Sequence, residues 1–175
     1  MRGIQWLVPV NLKPFADNLP EELGNYFALV MLPMPLGVVD QRARIAQMKT
    51  RMQRIKHSDE AVLTFGLQRA MSGSPDQVQF FLTNFFANKT VGVLTNVPGP
   101  TGPLRFAGTP VVQIVGFAPC SGDQPISATI FSYNDTVTIG FATDAGLLPD
   151  PEVLVDLVAA EVTALRSVLL SRTGS

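Results

Sequence analysis

The sequence predicts an α+β domain with a mixed or mainly antiparallel sheet and flanking helices, on three observations. Two apolar, proline-bounded runs open the chain, a stretch of helical periodicity follows, and a β-rich section closes on one more helix. At 175 residues the chain is long enough for one domain with a real core. Apolar residues make up 46% and charged residues only 15%, where about a quarter is usual. Either the core is large, or an apolar face is built to meet something else.

The elements follow in order. Trp6 to Leu12 is a short apolar strand ended by Pro14, Asp17 to Gly24 is loop, and Asn25 to Leu32 is a strand stopped by Pro33 and Pro35. Asp40 is a helix N-cap, and after it Ile45, Met48, Met52 and Ile55 recur on one helix face. Ser58 or Asp59 caps a second helix through about Ala70. Ser74-Pro75-Asp76 starts a third, with Val78, Phe81, Leu82 and Phe85 as its buried stripe. Val91 to Val97 is a strand broken by the Pro98 to Pro103 stretch. Leu104 to Phe106 and Val111 to Phe117 are strands, and Ile126 to Tyr133 with Thr136 to Thr143 flank an Asn134-Asp135 hairpin turn. Pro149-Asp150-Pro151 opens a last helix with Leu154, Leu157, Val158, Leu165 and Val168 on its apolar stripe.

Several function classes are excluded on composition. A net charge of -1 argues against a protein built to neutralise phosphates, so no nucleic-acid partner is expected. One cysteine, Cys120, permits no internal disulfide and reads as a small packing residue. One Cys and one His do not supply a zinc site, so no metal is expected. The N-terminal run is interrupted by Pro9 and does not read as a signal peptide. No run of eighteen apolar residues spans a bilayer. The expected location is cytoplasmic, with peripheral attachment to a membrane or lipid-inclusion surface left open.

Six segments together carry a resemblance: Val8-Pro-Val-Asn-Leu-Lys-Pro14, Leu23-Gly-Asn-Tyr-Phe27, Leu32-Pro-Met-Pro-Leu36, Thr95-Asn-Val-Pro-Gly-Pro100, Phe131-Ser-Tyr-Asn134 and Asp150-Pro-Glu152. In this order and spacing the chain resembles the C-terminal domain of the bacterial wax ester synthase/diacylglycerol acyltransferases, from about Val8 to about Leu165. The resemblance implies one half of a chloramphenicol acetyltransferase-like, CoA-dependent acyltransferase fold, with residues 1–175 forming a single domain. It implies transfer of a fatty acyl group from acyl-CoA, a substrate rather than a cofactor, to a long-chain alcohol or diacylglycerol, giving wax esters or triacylglycerols. It also implies a partner: an N-terminal half, on the same or a separate chain, bearing the His-His-x-x-x-Asp-Gly general-base motif. That motif is missing here. The only histidine is His57, at a predicted helix end with no partner histidine and no following Asp-Gly. Positioned proton transfer contributes about 10²–10⁴-fold, so the chain alone is expected to be inactive. The alternative is a non-catalytic acyl-lipid-binding or protein-interaction module.

Three groups of residues are site candidates. By the resemblance, Thr95 or Asn96 donates a hydrogen bond to the oxyanion of the tetrahedral intermediate, since both carry donors; alternatively Asn96 ties two strands where Pro98 and Pro100 cannot donate. Ser132 lines the channel, or simply precedes the turn residue Asn134. The helix from Asp40 to His57 holds Arg42, Arg44, Lys49, Arg51, Arg54 and Lys56 against one acid, Asp40. It suits an anionic membrane surface, contact with the CoA phosphates, or an ordinary solvated helix. The Pro98 to Pro103 stretch is glycine-rich but lacks a phosphate-loop ending and leads to a strand, so a rigid crossover loop is expected.

Overall fold

A computed structural model describes residues 3–11, 27–56, 63–66, 76, 80, 84, 87–120 and 123–170. Its centre is a five-stranded sheet built from β1 (Gln5–Asn11), β2 (Phe27–Pro33), β3 (Gly92–Pro98), β6 (Ile126–Tyr133) and β7 (Thr136–Thr143) in the order β2-β1-β3-β6-β7. The inner pairs β1–β3 and β3–β6 are parallel, and the outer pairs β1–β2 and β6–β7 are antiparallel. The sheet is therefore mixed. The β1–β3 ladder covers only Trp6 and Leu7. Pro9 stands two residues beyond Leu7, and a proline has no N–H to give a second neighbour.

Among the described residues, two full helices lie against the sheet, α1 (Gln41–Lys56) and α2 (Pro151–Leu170). Asp40 caps α1 as the sequence predicts: its Oδ2 accepts the Ala43 N–H at 2.7 Å. The core lies between α1 and the β2–β1–β3 end of the sheet. Val8, Ala28, Val30, Leu32 and Ile55 are buried together, with Trp6, Val10, Met48, Met52 and Leu94 packed round them. Alternation places Trp6, Val8 and Val10 opposite Leu32, Val30 and Ala28, so all six point to the face that α1 covers.

The β6–β7 hairpin turns at Asn134 (φ 45°) and Asp135 (φ 61°), both left-handed as the sequence predicts. A second, smaller hairpin joins β4 (Arg105–Phe106) to β5 (Thr109–Pro110) through Ala107 (φ 47°) and Gly108 (φ 81°). Two glycines are required by close approach. A Cβ on Gly92 would stand 2.0 Å from the Ile126 carbonyl oxygen, and one on Gly99 would stand 2.2 Å from that of Ser132.

Four expectations are corrected. Val111 to Phe117 joins no ladder. It crosses the face of β6–β7 instead, because β3 and β7 already occupy both edges of β6. The stripe expected on α2 is not buried: no residue of that helix is, and Leu157 is 59% exposed. The helix is apolar around most of its circumference, and β7 and the first turn of α1 cover only part of it. Ile45 is 48% exposed, because the start of α1 meets α2 rather than the sheet core. Cys120 is exposed, its Sγ 3.8 Å from the Ala142 carbonyl oxygen. The predicted loop at Asp17 to Gly24 lies outside the described residues. So do most of the two helices predicted between Ser58 and Phe85, including Val78, Phe81, Leu82 and Phe85; residues 63–66, 76, 80, 84 and 87 are helical.

Candidate functional site

Strand register decides which candidates share a face. Thr95 aligns with Thr129, and Asn96 with Ile130. Partners in register point the same way, while neighbours along a strand point to opposite faces. Thr95 and Asn96 are therefore separated by the sheet and do not serve one site together.

Thr95 faces a strap formed by residues 111–118. The strap runs antiparallel to β6 across the sheet face. Tyr133, 3% exposed, accepts the Leu104 N–H at 2.7 Å and donates to the Val111 carbonyl at 2.9 Å. At the other end the Thr129 hydroxyl accepts the Ala118 N–H at 3.0 Å, and the Ser127 hydroxyl donates to the Ala118 carbonyl. Between them Gly116 passes directly over Thr129, where a Cβ would stand 3.2 Å from its methyl group. Thr95 is half-buried on this side.

Asn96 lies on the other face, the one that carries α1, near the C-terminal ends of the parallel strands β3 and β6. Its row continues across the sheet through Ile130 to Ile139, and the next row runs from Pro98 through Ser132 to Val137. Asn96 is exposed, Ile130 and Ser132 are half-buried, and Val137 is 61% exposed. The result is an open apolar wall with two polar side chains set into it, an amide and a hydroxyl, one row apart. Both can donate hydrogen bonds outward. No hydrogen bond joins the Asn96 or Ser132 side chain to another described residue. The Pro98–Pro100 segment flanks this wall. It is fixed there by bonds from Gly99 N–H to the Ser132 carbonyl at 2.9 Å and from Asn134 N–H to the Pro100 carbonyl at 3.0 Å. It leads into β4, not a helix, as expected of a crossover loop rather than a phosphate loop.

The basic residues of α1 are dispersed. Arg42 Nη2 donates to the Val168 carbonyl at 2.7 Å, supplying a cation at the C-terminal end of α2, whose own last turn has none. Arg44 pairs with Glu161 at 3.7 Å, and Arg51 donates to the Pro33 carbonyl at 2.5 Å. Lys49 and Arg54 are exposed, but five residues apart on a helix they diverge by about 140°. The Lys56 side chain and His57 lie outside the described residues. Three of the six cations thus have backbone or side-chain partners, and the two exposed ones share no face.

Ile139 and Val137 are wall residues that the sequence reading missed. Period-two alternation from the Asn134-Asp135 turn was the signal that would have paired them with Ile130 and Ser132. Tyr133, Thr129 and Ser127, which lash down the strap, were missed as well. Nothing local marks a strand hydroxyl as a tether for a segment that pairs with no neighbour.

Residues 23–166 match the family described as WS/DGAT C-terminal domain. The chain is 28% identical over 173 residues to wax ester synthase/diacylglycerol acyltransferase 8 of Arabidopsis thaliana, covering 93% of this chain and 34% of that protein. It is 27% identical to wax ester synthase/diacylglycerol acyltransferase 7 of the same plant, covering 93% of this chain and 35% of that one. It therefore spans about a third of the length of these relatives. Among solved structures it is similar to the wax ester synthase/diacylglycerol acyltransferase from Marinobacter aquaeolei VT8, with a TM-score of 0.49 and 19% identity over 88% of this chain and 34% of that one.

Proposed function

Because the chain belongs to the WS/DGAT C-terminal domain family, we propose that it forms one wall of an O-acyltransferase reaction channel. The reaction is transfer of a fatty acyl group from acyl-CoA to a long-chain alcohol or diacylglycerol, and the general base comes from the N-terminal part of the full enzyme. The observation that carries this reading is the open wall of Ile130, Val137 and Ile139 with Asn96 and Ser132 set into it. Apolar side chains suit an acyl chain, and a wall otherwise poor in hydrogen-bonding groups strengthens the two that it holds. Asn96 is the oxyanion donor in this reading and Ser132 a channel-lining residue. Thr95, on the strap side, takes no part.

The test is a chimera in which this chain replaces the matching third of the Arabidopsis acyltransferase 8, assayed with acyl-CoA and hexadecanol. Asn96→Ala lowers kcat by about 10²–10³, the usual effect of losing one oxyanion donor, with little change in KM. Thr95→Val changes kcat less than about threefold, since it leaves the charge stabilisation of the transition state intact. Equal losses from the two variants would remove Asn96 from the role. The isolated chain turns over no acyl-CoA; a rate of its own that His57→Ala abolished would overturn the reading.

A further inference from the structure

A cleft at the other corner of the sheet has no part in the proposed reaction. Met34, Pro35, Leu36 and Val38, from the loop after β2, form one side of it, and Gln47 and Arg51 of α1 form the other. Its volume is about 400 Å³, within the range of roughly 300–1,000 Å³ usual for small-molecule sites. Register places it well away from Asn96. Pro33, where the loop begins, pairs with Gln5 at the start of β1, while Asn96 stands four residues beyond Gly92, the partner of Trp6. Five residues along the strands and two strands across amount to roughly 20 Å.

Both sides of the cleft are fixed. Met34 N–H donates to the Ile4 carbonyl at 2.8 Å and Leu36 N–H to the Met34 carbonyl at 3.0 Å, and Gly37 (φ 82°) turns the chain before Val38. Opposite them, Arg51 is half-buried, and its Nη1 donates to the Pro33 carbonyl at 2.5 Å. Arg51 makes no other hydrogen bond or ion pair among the described residues. A guanidinium has five N–H donors in a planar fork, so the pinned group keeps donors for a ligand. No carboxylate lines the cleft to compete for them. The other wall is aliphatic, and Leu36 at its mouth is 59% exposed. A nucleotide does not suit this lining, which has no aromatic ring to stack a base and a single cation for several phosphate charges. One negative charge on an aliphatic body does suit it. The guanidinium fork matches a carboxylate bidentately, and the Met34 thioether adapts to the shape of a flexible chain. We propose that this cleft binds a fatty carboxylate, with its head on Arg51 and the adjoining methylenes over Met34, Leu36 and Val38. The site is separate from the Asn96 wall, and the inference does not depend on the acyltransferase reading.

Titration of the intact chain with dodecanoate below its micelle concentration tests this, by calorimetry and by amide and Arg Nε–H resonances. Shifts gather at Met34, Leu36, Val38 and Arg51. Arg51→Gln weakens binding about tenfold or more, the worth of a charge-assisted pair. Leu36→Asp, at an exposed position, sets a charge in the aliphatic wall and weakens it by about as much. Lys49→Gln, about 200° round the helix from Arg51, changes Kd less than about twofold. Dodecanol, which has the chain without the charge, binds about tenfold more weakly. Acetate, which has the charge without the chain, shifts none of these resonances. A urea melt of each variant checks folding; should Arg51→Gln unfold, Leu36→Asp and the dodecanol comparison decide. Absence of dodecanoate binding, equal binding by the folded variants, or shifts confined to Ile130, Val137 and Ile139 would overturn the site. None of these results bears on the Asn96→Ala assay in the chimera, so the two readings fail separately.

Discussion

Replacing Tyr133 with Phe tests the claim that one hydroxyl holds the strap in place. The ring is 3% exposed and stays buried in the variant, so its transfer out of water is unchanged. What is lost is a hydroxyl that accepts the Leu104 N–H at 2.7 Å and donates to the Val111 carbonyl at 2.9 Å. Each such bond is worth about 0.5–1.5 kcal/mol net, so the pair sets about 1–3 kcal/mol. Leu104 is 41% exposed and Val111 half-buried, so water reaches the freed groups and the lower half of that range applies. With a urea dependence of about 2 kcal/mol per molar, the unfolding midpoint falls by roughly 0.5–1 M. The Leu104 amide also loses its acceptor and exchanges faster. A midpoint within about 0.2 M of the parent, together with an unchanged Leu104 amide, would refute the tether.

Two further substitutions address the sheet and the first helix. Gly92→Ala places a Cβ 2.0 Å from the Ile126 carbonyl oxygen, a backbone atom that cannot rotate away, so the β3–β6 pair must separate locally. The expected loss is at least about 3 kcal/mol or failure to fold, seen by circular dichroism and urea melting. Asp40→Ala removes the acceptor of the Ala43 N–H and costs about 1 kcal/mol in the same melt, while Asp40→Asn retains most of that bond.

The strands were legible because proline and alternation mark them. Pro14, Pro33 and Pro35 bound the first two runs, and Asn134-Asp135 announced a hairpin that the structure forms with both residues left-handed. The choice between Thr95 and Asn96 was not legible, because it depends on which face the rest of the chain covers. Val8 and Leu94 turn one face of β1 and β3 toward α1, while Thr129 and Tyr133 turn the other face of β6 toward the strap. Each strand's sequence states only that its faces differ. Val111 to Phe117 misled for a related reason. Its composition favours extended backbone, but a ladder also needs a neighbour with a free edge, and β6 had none left. The partners of the α1 cations were not legible either, because charge counts ignore partners: Arg42, Arg44 and Arg51 reach Val168, Glu161 and Pro33, residues distant in sequence.

Composition offered two outcomes, a large core or an apolar face meant for a partner, and the structure separates them. Ten hydrophobic residues of the described chain are buried, against twenty-three large ones exposed. Single exposed apolar residues are ordinary on any protein, so position matters more than number. Most of these lie on α2, along the strap and its hairpin, and on the wall beside Asn96. Contiguous patches of that kind mark surfaces built to be covered. The compact cluster of Val8, Ala28, Val30, Leu32 and Ile55 lies entirely at the β2–β1–β3 end. Among the described residues, the β6–β7 end has the strap over one face and part of α2 near the other. Among the described residues, low charge therefore goes with apolar faces left exposed more than with a large interior.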